Sequence, residues 1–238
     1  MPMIVLHQWE MSPFCNKVRR CLRLKGLDFR VENYNGLKAR QAAKLTSQGM
    51  LPVLDYENER IGDSAAIAEF LERRHPDPPL YPKDPEARAR ARFWESWAGE
   101  VLYFFEIQFR MLDPDAREKA LDIICEGRPA HERAILGFVF KTRYPGKLKS
   151  QGLGRLSQAE IERKFFGHLD DLAALLERHE WLVGDAPSIA DISVASQLDE
   201  VVRTSRHAER IRAYPKIRAW MDALDAKAGG AHAPAPAA

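Results

Sequence analysis

The sequence predicts an α/β domain of β-α-β-α-β-β-α order followed by an all-α domain. Three observations carry that expectation. Short β-branched runs alternate with helical periodicity up to about residue 75, a proline-dense break follows at 76–85, and only helical patterns lie beyond it.

Ile4-Val5-Leu6 is a short apolar, β-branched run and reads as a buried first strand. It gives way to Met11-Ser12-Pro13, where serine suits an N-cap and proline the first helical position. Val18, Cys21, Leu22 and Leu24 then recur at helical spacing up to Gly26. Residues 28–34 read as a second strand with Phe29 and Val31 on one face, giving a β-α-β unit with a right-handed crossover. Residues 36–47 are polar and carry only a weak helical pattern. Leu51-Pro52-Val53-Leu54-Asp55-Tyr56 is a strand whose proline belongs at a start or edge, because it cannot donate to the ladder. After a polar turn, Arg60-Ile61 is a short return strand. Asp63-Ser64 caps a helix with Ala66, Ile67, Phe70 and Leu71 on one face.

The proline-dense break separates a first domain, 1–77, from a second, 86–228. Residues 85–112 predict one long helix, whose stripe of Phe93, Trp97, Val101 and Phe105 reads as core. Further helices are expected over 115–125, 131–140, 157–179, 188–202 and 215–227. The last but one opens on Ser188-Ile189-Ala190-Asp191, a capping-box variant of structural role. Residues 141–155, broken by Pro145, Gly146, Gly152 and Gly154, read as a basic loop. The low-complexity run 229–238 reads as a disordered tail.

With 45% hydrophobic and 29% charged residues, a chain of 238 residues can build a sizeable core without disulfides or metals. A net charge of +2 does not indicate a nucleic-acid surface. Three cysteines, Cys15, Cys21 and Cys125, are too few for a secreted disulfide framework and fit a reducing compartment. No basic n-region opens the sequence and no apolar stretch approaches a membrane span, so the expected location is the cytoplasm. The histidines lack metal-ligand spacing, and no metal is expected.

Ser12-Pro13-Phe14-Cys15 falls at a strand-to-helix turn, Leu51-Pro52 opens the third strand, and Asp63-Ser64 opens a helix. In a sheet of this order the three turns can converge on one edge. Two of them are helix N-termini, whose free N–H groups and dipole ends suit an anion. These motifs, with Gly184-Asp185-Ala186-Pro187-Ser188-Ile189-Ala190-Asp191 in the helical half, resemble the glutathione transferases over the whole chain but its tail. The first helix resembles the serine-type tau and zeta classes. The helical half, with its basic stretch, also loosely resembles the failed-axon-connections and metaxin relatives, which act as scaffolds or import factors.

The resemblance implies a thioredoxin-like first domain, glutathione as co-substrate, a homodimer, and a small apolar electrophile held between the domains. It implies that the Ser12 hydroxyl donates to the glutathione sulfur and favours the thiolate. Lowering a thiol by two pKa units takes about 2.7 kcal/mol. Leu51, before a cis Pro52, would pair its backbone with the cysteinyl part, and Phe14 would lie beside the ligand. Asp63 would meet the α-ammonium, Ser64 the α-carboxylate, and Lys38 the glycyl carboxylate. By the residues alone, Ser12 and Asp63-Ser64 are also ordinary caps. Ser12-Pro13-Phe14-Cys15 also resembles a glutaredoxin-type motif whose first cysteine is serine, and Cys15, at its more buried second position, is expected to be inert. A glutathione-dependent disulfide or peroxide reductase, and a non-catalytic glutathione-binding or scaffold protein, are the alternatives.

Overall fold

The structure, a computed structural model, describes residues 3–230. The tail expected over 229–238 therefore falls outside the described residues from position 231 onward. Four strands, β1 (Ile4–Gln8), β2 (Arg30–Asn33), β3 (Val53–Tyr56) and β4 (Glu59–Gly62), form one mixed sheet in the order β2-β1-β3-β4. β1 runs parallel to β2, with Leu6 opposite Val31, and antiparallel to β3, with Leu6 opposite Leu54. The central pair carries the buried Ile4, Leu6, Val53 and Leu54, whereas the edge strands stay partly exposed. α1 (Pro13–Leu24) crosses from β1 to β2, and α2 (Ser64–Arg74) follows β4. The segment between β2 and β3 differs from the expected helix: Gly36–Lys44 is a 3-10 helix. Its buried residues are Gly36 and Ala42 alone, too little apolar face to sustain an α-helix. The peptide bond before Pro52 is cis, as the resemblance implied.

From Pro85 the chain is helical. α3 (Pro85–Trp97) and α4 (Tyr103–Ile107) belong to one continuous run, joined and ended by π-helical turns at Ala98–Leu102 and Gln108–Leu112. α5 (Pro114–Ile124), α6 (Ala130–Gln151), α7 (Gln158–Leu176), α8 (Ile189–Thr204), α9 (Ala208–Arg212) and α10 (Pro215–Ala228) follow. The basic stretch at 141–155 is thus not a loop, since α6 continues through Gln151. Pro145 and Lys141 both face solvent, so water can satisfy the carbonyl that proline leaves without a donor. The helix ends where it meets Gly152, at a φ of 115°. The aromatic stripe is only in part core. Phe105 is buried, but Phe93 is 76% exposed, because Ala91, Ala98 and Leu102 face inward and let α3 lie against α8. α9, with five residues, is too short to show a period and was not anticipated.

α8 is buried on nearly every face and receives α1 directly. Fully buried Arg20 of α1 donates to Asp199 at 2.7 Å and to Asp225 of α10 at 2.6 Å, and Asn16 donates to Asp199 at 3.1 Å. At the head of α8 the expected capping box is present. Asp191 Oδ2 accepts from the Ser188 N–H at 2.9 Å and from its hydroxyl at 3.1 Å. Its Oδ1 accepts from the Leu182 N–H and the Trp220 indole N–H, both at 2.9 Å.

One buried carboxylate therefore satisfies four donors from three segments. Asp191→Ala leaves them unpaired, and a loss of about 4 kcal/mol is expected in urea unfolding. Asp191→Asn should cost less; a loss below about 1 kcal/mol for the alanine variant would show that the donors find other partners.

Candidate active site

β1 ends at Gln8, and the turn after it delivers Ser12 as the N-cap of α1. The Ser12 N–H donates to the Trp9 carbonyl at 3.0 Å, and its Oγ accepts from the Cys15 N–H at 3.3 Å. The Cys15 thiol also contacts this hydroxyl. Burial pushes that thiol up to about 11, so it stays protonated at neutral pH. A hydroxyl has two lone pairs and one proton. The Cys15 N–H takes one lone pair of Ser12 Oγ, and Ser12 lines the cavity, so the hydroxyl keeps a proton that it can donate to a group bound there.

Leu51 and Pro52 stand at the head of β3. Among the described residues, neither the N–H nor the C=O of Leu51 has a hydrogen-bond partner. That leaves a donor and an acceptor free for an extended ligand backbone. Asp63 holds a φ of 69°, an unfavourable conformation for a residue with a side chain. Its Oδ1 caps α2 by accepting from Ala65 and Ala66 at 2.9 and 3.0 Å, which leaves the exposed Oδ2 available. Ser64 is buried, and its Oγ accepts from Lys17 Nζ at 3.5 Å. Lys17 is itself buried and held at 2.5 Å by Glu95, which also accepts from the Tyr81 hydroxyl at 3.1 Å. Sequence reasoning missed Lys17. The signal was present, because it shares a helix face with Pro13 and Cys21, where a lysine is out of place.

Ser12, Phe14, Leu51, Pro52, Asp63 and Ser64 line one cavity of about 510 Å³, a usual size for a small-molecule site. Lys38 does not join them. Its ammonium pairs with Glu32 and lies 4.8 Å from the Tyr34 ring centre. In a 3-10 helix residues three apart eclipse, so Ala39 and Ala42 face the cavity and Lys38 turns off that face. The opposite wall comes from the helical half. Gly99, Tyr103 and Arg110 recur four and seven residues apart, and Phe104 joins them. The Tyr103 ring meets Phe14 edge-on with centres 4.8 Å apart. α6 adds Tyr144 and Lys147, from the stretch read as a loop.

Arg110 ties the two walls together. It is buried, donates to the Met11 carbonyl just before Ser12, and lies 5.4 Å from the Trp9 ring centre. Glu106 sits 2.7 Å from it and Glu200 3.7 Å. Burial pushes Glu106 up to about 8 and Glu200 up to about 7, with Arg110 acting against the rise in both. On the flank, Arg203 of α8 donates to Glu10 at 2.6 Å. Among the described residues, no three His, Cys, Asp or Glu side chains are grouped to hold a metal, and no helix is long and apolar enough to cross a membrane.

Comparison with known proteins gives a consistent result. Residues 6–79 match the family described as glutathione S-transferase, N-terminal domain, and residues 154–223 match its C-terminal domain. The chain is 28% identical to a maleylacetoacetate isomerase of Pseudomonas aeruginosa over 91% of its own length and 89% of that protein. It is 25% identical to an isoprene-epoxide–glutathione S-transferase of a Rhodococcus strain, over 81% of each chain. Among solved structures it is similar to a glutathione S-transferase of Methylobacterium radiotolerans in complex with glutathione sulfonate. That likeness has a TM-score of 0.66 and 26% identity, covering 99% of this chain and 96% of the other.

The buried Glu106–Arg110–Glu200 cluster sets a pH dependence of stability. Folded carboxyls titrating near 8 and 7, rather than near the unfolded value of about 4.3, hold protons that the unfolded chain has lost. Their contribution is complete below the unfolded value and falls away as the pH rises through 7 and 8. Thermal unfolding from pH 5 to pH 8 should show Glu200→Gln losing less stability than the parent protein. Parallel curves would mean that Glu200 is already ionised throughout.

Proposed function

We propose that this chain, which belongs to the glutathione S-transferase family, activates the thiol of glutathione for attack on a small apolar electrophile. The observation that supports this most is the Ser12 hydroxyl. It is fixed at a helix N-terminus, where it accepts from the Cys15 N–H, and it lines the cavity with a proton to donate. A hydroxyl donating to sulfur favours the charged form, and the α1 dipole adds to that preference. The thiol proton leaves to solvent, and the thiolate forms the new carbon–sulfur bond while the leaving group departs or, in an addition, the neighbouring carbon takes a proton.

The other roles follow from the same lining. The free N–H and C=O of Leu51 pair with the cysteinyl backbone beside Pro52. Asp63 Oδ2 meets the α-ammonium, and the Ser64 N–H and hydroxyl take the α-carboxylate, with Lys17 orienting that hydroxyl. Phe14 packs against Tyr103 over the sulfur end, and Tyr103, Phe104 and Tyr144 form an aromatic wall for the electrophile. On this reading residues 1–77 bind glutathione, residues 86–228 receive the electrophile, and conjugation serves detoxification in the cytoplasm. A buried, protonated Cys15 speaks against a thiol reductase. We also infer a homodimer, supported by the apolar patch of exposed Phe93 with Trp94, Trp97 and Leu172.

The first test is a pH titration of the ultraviolet thiolate absorbance of bound glutathione. The parent should show a depressed thiol pKa, and Ser12→Ala should return it towards the free value and slow turnover of chlorodinitrobenzene about a hundredfold. Cys15→Ser should change neither. An unshifted thiol in the parent would end the transferase reading. In sedimentation velocity, Phe93→Asp should convert a dimer to a monomer; a parent that is already monomeric would remove the dimer.

A further inference from the structure

The second half of α6 carries charge without counter-charge. Between Glu132 and Glu160 the chain has no Asp or Glu, yet Arg133, Lys141, Arg143, Lys147, Lys149 and Arg155 lie there. Arg133 is taken by Glu118 and Asp122. Arg143 and Lys147 stand one helical turn apart and, among the described residues, neither makes an ion pair. Both line cavities. The Lys147 ammonium belongs to the wall of the cavity that holds Ser12, and lies 5.1 Å from the Tyr103 ring centre and 5.7 Å from that of Phe104. Arg143 lines an adjoining groove of about 570 Å³ between α6 and the 3-10 segment. The two spaces share Trp9, Ala39, Gly49 and Tyr144, so they are neighbours across a common rim.

α6 is also fixed in this position. Glu132 accepts from the Leu37 N–H of the 3-10 segment at 2.9 Å and from Arg128 at 2.6 Å. Gly36 makes room for this clamp: with a φ of 63°, any Cβ there would fall 2.2 Å from the Glu132 carboxylate. The acids of the cavity wall, Asp63 and Glu100, pair with neither cation, and the groove lining contains no acid. Burial and then the Arg143 guanidinium lower the pKa of the Lys147 ammonium, with Glu106 acting the other way. An anion settling between the two cations would relieve that repulsion.

We propose that Lys147 and Arg143 form a carboxylate-binding site on the helical wall of the cavity. The proposal rests on the glutathione reading above. The carboxylate has two possible sources: the glycyl end of glutathione, from which Lys38 is turned away, or an acid group carried by the electrophile.

Calorimetric binding to the full chain separates them. The ligands are S-benzylglutathione, its glycyl ethyl ester, and S-(carboxybenzyl)glutathione. The proteins are the parent, Lys147→Met, Arg143→Leu, and Lys141→Met as a control of equal charge change on an exposed position. For the glycyl source, the ester should bind the parent about tenfold more weakly, and the two cavity variants should erase that difference. For the electrophile source, the carboxybenzyl ligand should bind the parent about tenfold more tightly than the benzyl one, again with loss of the advantage in both variants. In either case Lys141→Met behaves as the parent. If all three ligands bind and neither cavity variant changes a ratio, the carboxylate site is overturned while the glutathione reading stands. If no ligand binds the parent, the glutathione reading fails and takes the site with it.

Discussion

The seating of α1 on α8 is the contact on which the rest of this structure depends. Its core is Arg20, fully buried and shared between Asp199 and Asp225 from two other helices. A buried cation of this kind is costly to leave unpaired, so its position is strongly specified even if the pair adds little net stability. α1 is at once the crossover helix of the sheet and a member of the helical layer. Its first turn carries Ser12, one turn before Asn16, which donates to the same Asp199. The geometry of the cavity floor is therefore set by a contact one and two turns further along the helix that forms it.

Arg110 completes this arrangement from the opposite wall. Its bond to the Met11 carbonyl fixes the backbone that enters Ser12, and its position beside Trp9 closes the end of the turn. The turn is thus gripped at both ends, by its own helix cap and by a guanidinium from the helical half. Two helix N-termini, capped by Ser12 and Asp63, meet at the floor and make it polar. The aromatic wall of Tyr103, Phe104 and Tyr144 makes the roof apolar. A ligand with charged ends and a reactive centre near the roof fits such a division.

Much of this was legible in the sequence, and the reasons are local. Ser12-Pro13, Asp63-Ser64 and Ser188 with Asp191 are caps, whose partners lie within three residues, so the signal and the structure share one segment. The order of strands and helices was equally readable, because each element carries its own period. What escaped depends on contacts distant in sequence. Phe93 reads as core until the small faces of Ala91 and Ala98 are seen to take its place against α8. Lys38 has the right charge for a ligand, but its direction is decided by a 3-10 turn and by Glu32. α6 was hidden because proline and glycine are weak helix formers, and an exposed helix tolerates them at positions where its backbone can be hydrated. Arg110 and Glu200 are separated by 90 positions, and nothing in either neighbourhood announces the other.

The family to which this chain belongs is built from two halves that invite recombination, since each has its own secondary structure. The grip on the Ser12 turn argues against treating them as interchangeable parts here. Arg110 and Arg203 reach from the helical half to Met11 and Glu10, and Asp199 and Asp225 receive Arg20. A chimera that joined this first half to the helical half of a relative would have to import those four side chains, with Glu106 and Glu200 behind Arg110. Without them the graft would inherit the sheet, the caps and the cis proline, yet lose the grip that holds the Ser12 turn against the helical half.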